Sequence, residues 1–240
     1  EIEDVPKSLA WPYVKLYYAA FFYAHALLRI WGKSPSYFRT SEMIQLRNTL
    51  AAYSVTAPFK VITGQYLVSA NLGASTVELR ADNGGGGSHE ILWREFQQSL
   101  VDLRQALSGS AYLEADKLRL DQEIAALMSL TSDNGANVSW LSQMRNDIQY
   151  RQAEGVWYPY QGKAKASSIQ QDVQTLLGGG ANYLKLISVT GGSLVRFRAA
   201  CQAVICLARA VLNDMEKVGG AKSFLKFGQR KFEDGIAAGV

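Results

Sequence analysis

The 240-residue chain is 48% hydrophobic and 19% charged, which is enough apolar side chain for a sizeable core and excludes global disorder. Its 25 Lys and Arg against 21 Asp and Glu leave a formal net charge of +4, which permits an anionic partner such as RNA without demanding one. Two histidines and two cysteines are too few and too scattered for a zinc site, so no cofactor is expected; no apolar run reaches the roughly 18 residues of a membrane span.

Residues 1–10 are polar, contain Pro6 and read as a loose lead-in. Trp11 to Trp31 follows as a long helix, with Pro12 in its first turn. Nearly every face of it is apolar, and Ala19, Ala20, Ala24 and Ala26 allow close approach, so a core or a partner chain must cover it. Gly32 and Ser34-Pro35-Ser36 end it. Ser41 to Ala52 reads as a second helix, with Ser41 as N-cap and Met43, Leu46 and Leu50 as its stripe. Arg47 and Asn48 read as part of its solvated face.

From Pro58 the texture changes to Val, Ile, Thr and Tyr with Gly punctuation. This predicts a small β insertion near 58–82, with strands at 59–63, 66–71 and 76–80. Gly84 to Gly87 form a Gly-rich loop, read as natural because its flanks continue without a change in character. No Lys or Ser/Thr follows it at P-loop spacing. Ser88 is the expected N-cap of the next helix, and His89 at its start reads as a surface or hinge residue. Leu92, Trp93, Phe96, Leu100, Leu103 and Leu107 make a helix of 90–107. Leu118, Ile124, Leu127 and Met128 make another of 113–130, and Asp133-Asn134-Gly135 is a turn.

The stretch 139–160 is the most informative. Trp140, Leu141, Met144 and Ile148 make one apolar helical face, Ser139 is a plausible N-cap and Gly155 is the expected stop. Arg145, Asn146 and Gln149 fall on the other side, with Tyr150 one turn beyond Asn146 and Arg151 next to it. Arg, Asn and Tyr on one helical surface can grip a phosphate, a ribose or a base; the plainer alternative is that Arg145 and Asn146 brace neighbouring helices. Beyond it, 169–177 looks helical, 181–189 is a short helix or turn, and Ser193 to Val218 is a long apolar helix. Cys201 and Cys206, five apart, point to different sides of that helix and read as separate buried thiols of a reducing compartment. The tail mixes Lys, Arg and Phe. The whole reads as mainly α: a single domain over 1–240, a bundle of about seven helices with a β insertion.

Two stretches resemble the HEPN superfamily, the helical domains of higher eukaryotes and prokaryotes found in bacterial toxins and antiviral defence proteins. YYAAFFYAHALLRI at 17–30 is similar to the family's aromatic- and alanine-rich early helix. RNDIQY at 145–150 resembles its signature, an Arg, often followed by Asn, four to six residues before a His. The resemblance implies a bundle that dimerises through the signature helix, or a hetero-complex with a defence or antitoxin protein, in the cytoplasm. In active members, Arg and His cut RNA without metal. Carried over, Arg145 holds the phosphate and Asn146 stands beside it. Tyr150 stands where the family has His, and a phenol that ionises near pH ~10 is a poor general base. Arg145, Asn146, Gln149, Tyr150 and Arg151 are therefore the expected RNA-binding set. The favoured expectation is an RNA-binding or assembly module without its own catalysis. The alternatives are a metal-independent endoribonuclease using Arg145, Asn146 and Tyr150 across a dimer interface, and a purely structural scaffold.

Overall fold

A computed structural model describes residues 8–56, 61–71, 73–82, 84–157 and 182–219. The described chain is mainly helical. Its elements are α1 (Ala10–Ile30), β1 (Lys33–Phe38), α2 (Thr40–Ala52), β2 (Gly64–Asn71), β3 (Thr76–Ala81), α3 (Ser88–Ser108), α4 (Glu114–Thr131), α5 (Trp140–Gln149), a 3-10 turn (Ala153–Gly155), α6 (Tyr183–Ile187) and α7 (Ser193–Gly219). The expected helix at 169–177 and the basic tail lie outside the described residues.

Helix α1 is the hub. Tyr13, Tyr17, Ala20, Ala24, Leu27 and Leu28 are buried. They pack with Phe197, Ala200, Cys201 and Val204 of α7, Trp93 and Phe96 of α3, and Leu141 and Ile148 of α5 in one core. The small side chains on α1 and α7 let these two helices lie along each other. Cys201 is fully inside and Cys206 half-buried, both as free thiols. No described helix is long and apolar enough to cross a membrane.

The sheet has order β1-β2-β3, all antiparallel. Its first strand is Lys33–Phe38, not the expected 59–63. Residues 57–60 lie outside the described set, and 61–63 are not strand. Ser34-Pro35-Ser36 looks like a helix stop, yet it also makes an edge strand. Ala70 N–H donates to the Gly32 carbonyl at 2.7 Å, so the even positions of β1 face β2. Pro35, at an odd position, presents its missing N–H to the outer edge, where none is needed. Gly32 makes the turn from α1 into β1 at φ +77°, and a Cβ there would lie 3.1 Å from the Ala70 carbonyl. The sheet and α2 share a small core of Met43, Val61 and Tyr66, flanked by Phe38, Leu46, Leu50 and Leu79. Ion pairs Lys33–Asp102 (2.6 Å) and Asp82–Arg94 (2.5 Å) tie the sheet to α3.

Two predicted caps fall elsewhere. α2 starts at Thr40, with Glu42 accepting from the Arg39 backbone N–H, and Gly87 rather than Ser88 precedes α3. Helix α5 ends at Gln149, well before Gly155. Trp157 turns the chain back there by donating its indole N–H to the Ile148 carbonyl. Gln152 and Glu154 adopt left-handed backbone at φ 54° and 68° to make that reversal.

Candidate functional site

Helix α5 buries Trp140, Leu141, Met144 and Ile148, as its periodicity requires. It also buries Arg145, which the sequence pattern puts on the opposite side. α5 packs against both α1 and α3, so more of its circumference is covered than a single-sided helix would show. Arg145 is 7% exposed. Its guanidinium carbon lies 5.6 Å from the ring centres of both Tyr17 and Tyr18, and 5.9 Å from that of Tyr150. Its Nε has no hydrogen-bond partner, and its Nη1 makes one long bond of 3.5 Å to Gln149 Oε1. Among the described residues no carboxylate forms an ion pair with it. The tyrosine faces offset part of the desolvation, but an uncompensated buried charge remains destabilising.

Beside this cation stands a residue from the other end of the fold. His89, in the first turn of α3, stacks on Phe21 with ring centres 4.2 Å apart. Its Nδ1 lies 2.8 Å from the Tyr17 hydroxyl. Trp93 donates its indole N–H to the same hydroxyl at 3.0 Å. An indole nitrogen can only donate, so Tyr17 Oη accepts from Trp93. The phenolic proton then has one described acceptor, His89 Nδ1. Reversing that bond would leave the proton buried and unpaired. The order of donation is therefore Trp93 to Tyr17 to His89, which places the His89 proton on Nε2.

His25 lies one turn along α1 from Phe21 and meets its ring edge-on at 4.8 Å. Its Nδ1 is buried without a partner. Burial, reinforced by Arg29, pushes the His25 imidazole down to about 4. Burial, then the Arg145 charge and His25, push His89 down to about 4 as well. Burial raises the Tyr17 phenol. At neutral pH both imidazoles are neutral beside the Arg145 cation, with His89 an Nε2–H donor and the Glu90 carboxylate next to it in the first turn of α3. The N-terminus of α3 adds its positive end at the same place.

The other expected site residues divide. Gln149 and Tyr150 adjoin Arg145, and Asn146 is half-buried on the same helix. Tyr150 is 67% exposed and borders the cluster on the solvent side. Arg151 points outward and pairs with Asp147 at 2.9 Å, so it stands apart from the cluster. Arg47 and Asn48 are exposed on α2, as expected of a solvated face. The sequence does not mark His89, Tyr17 and Trp93 as a group. No local motif joins them, and a His opening an apolar helix after a Gly-rich loop was the one available signal.

The first turn of α7 fixes α5 at both ends. Arg196 pairs with Asp133 at 2.8 Å and lies over the Trp140 ring at 5.0 Å. Ser193 donates to Glu154 at 2.8 Å. A depression of about 420 Å³ between α3 and α4 is also lined by polar groups. Neighbouring side chains satisfy these groups: Asp82 pairs with Arg94, Asp121 with Arg104, and Thr131 accepts from Gln97. It therefore holds no unmet charge comparable to Arg145. Among the described residues no cluster of His, Cys, Asp and Glu fits a metal ion.

No protein-family model matches the chain, and no curated protein or solved structure matches it either.

Proposed function

We propose that the chain is a HEPN-like helical module of a bacterial defence or toxin-type system that binds RNA through the α1–α3–α5 cluster without cutting it. The observation that carries this reading is Arg145: a buried cation that, among the described residues, has an unpartnered Nε and no carboxylate in an ion pair with it. A phosphate supplies the missing counter-charge. His89 Nε2–H and the first amides of α3 supply neutral donors to its other oxygens. Tyr150, with Asn146 and Gln149, offers a stacking ring and amides at the rim, where a base or ribose would lie. Assembly on a partner, either a second copy through α5 or a defence or antitoxin protein, belongs to the same proposal.

The donor order argues against the endoribonuclease alternative. A base must have a free nitrogen facing the ribose hydroxyl. His89 has Nδ1 committed to Tyr17 and a proton on Nε2, and burial holds the His25 imidazole down at about 4, a weak base at neutral pH.

The test is a labelled structured RNA in EDTA, titrated with the parent protein and with Arg145→Met. Salt-sensitive binding of intact RNA, lost in the variant, is the expected result. Cleavage that disappears in both Arg145→Met and His89→Gln replaces the binding reading with a nuclease. Neither binding nor cleavage removes RNA from the proposal and leaves the scaffold.

A further inference from the structure

Strand β3 is the outer strand of its sheet, and its backbone parity is fixed. Asp82 N–H donates to the Gln65 carbonyl at 2.8 Å, in the same register that pairs Arg80 with Leu67 and Glu78 with Ser69. Thr76, Glu78 and Arg80 therefore turn their backbone groups toward β2. Val77, Leu79 and Ala81 turn theirs outward. Among the described residues no backbone group pairs with these three. The strand carries no Pro, no Lys and no bulge, the usual devices that blunt an edge. Val77 is 71% exposed.

We infer that β3 is a self-pairing edge through which two copies of this chain join their sheets. The charge pattern selects the occupant and the register. A two-fold antiparallel pairing must set outward-facing positions against outward-facing positions. Centred on Leu79, it sets Val77 against Ala81 of the second copy and Leu79 against its own equivalent. Between those pairs, Glu78 falls opposite Arg80 of the second copy, and Arg80 opposite Glu78. The neighbouring allowed registers fail: one opposes Glu78 to Glu78, the other Arg80 to Arg80 and Glu78 to Asp82. Like charges directly opposite destabilise a strand pair, and opposite charges stabilise it. Arg80 is mostly exposed and holds only a long ion pair of 3.6 Å with the buried Glu95. The second face of the joined strands continues the apolar row of Val77, Leu79 and Ala81, which already meets the small core at Leu79. This surface is remote in sequence from Arg145 and stands independently of the RNA reading.

The test is sedimentation velocity on the whole chain, for the parent, Glu78→Arg and the double exchange Glu78→Arg with Arg80→Glu. A dimer is expected for the parent, with association weakened at least several-fold in the single variant and regained in the double. Cross-linking provides the second arm, because positions 78 and 80 face each other as a close pair within disulfide reach. A mixture of Glu78→Cys and Arg80→Cys proteins is expected to yield a covalent dimer that neither forms alone. A parent that stays monomeric overturns the inference. So does a dimer that is indifferent to Glu78→Arg and does not cross-link between 78 and 80.

Discussion

The Tyr17 hydroxyl lies 2.8 Å from Nδ1 of His89, a residue 72 positions later in the chain. Through this contact a phenol at the centre of the core sets the proton position of an imidazole near the surface. The expected tautomer of His89 at neutral pH is Nε2–H. Long-range nitrogen–proton NMR correlations read it directly, and an Nδ1–H signal for His89 would reverse the donor order from Trp93 to Tyr17 to His89. Trp93→Phe removes the first donor while keeping most of the ring. It is expected to lower the unfolding free energy by about 1–3 kcal/mol and to let both His89 tautomers appear.

The two imidazoles make stability depend on pH in a defined window. Each sits at about 4 in the folded chain against an ordinary value of 6.5. Between those values the unfolded chain binds more protons than the folded one. Stability is thus fully present above the unfolded value, falls as pH drops below it, and levels near the folded value. Melting temperature is expected to be lower at about pH 5 than at about pH 7.5. His25→Gln with His89→Gln is expected to flatten that difference. Asp102 and Asp121, whose carboxyls Lys33 and Arg104 hold below the ordinary 3.8, act only in stronger acid and do not blur the window.

Arg145 separates a ligand-binding role from a bracing role. A structural brace loses stability when it is removed. An uncompensated buried cation does not, because a similar-sized apolar side chain relieves its desolvation. Arg145→Met is expected to leave the unfolding free energy within about 1 kcal/mol of the parent, or to raise it. Loss of more than about 3 kcal/mol in denaturant titration would assign Arg145 to the scaffold.

Arg196 and Asp133 are expected to couple. Their 2.8 Å contact holds a turn in which Asp133 and Asn134 both adopt left-handed backbone. Arg196 is also packed over Trp140. A double-mutant cycle with Arg196→Met and Asp133→Ala should give a coupling energy of about 0.5–2 kcal/mol. Additive effects would mean the pair is a surface contact with no hold on α5.

Much of this architecture was legible in the sequence, and the failures have physical causes. Long helices such as α1 and α7 announce themselves through apolar side chains repeated over many turns, and β2 and β3 through alternation between Gly and Asn stops. β1 is hidden in the sequence because Pro35 reads as a breaker, and only the parity of the β1–β2 ladder shows that its missing N–H falls on the free edge. The bundle, its sheet and the inward stripe of α5 follow from periodicity. The burial of Arg145 does not, since it depends on α5 being covered from two directions. The Trp93–Tyr17–His89 chain joins α1 and α3 across the β insertion, and no spacing rule connects residues that tertiary packing alone brings together.

The pairing of α1 with α7 also has a consequence for synthesis. α1 leaves the ribosome before the other elements described here, apolar on most of its surface, and its longest packing partner begins only at Ser193. At ordinary rates of elongation the wait is on the order of ten to forty seconds. During that time Tyr13, Tyr17, Ala20 and Ala24 lack the surface that finally covers them, and α5 lacks both of its α7 anchors. The cluster around Arg145 can therefore mature only after α7 has emerged, and a nascent α1 is a natural client for a chaperone.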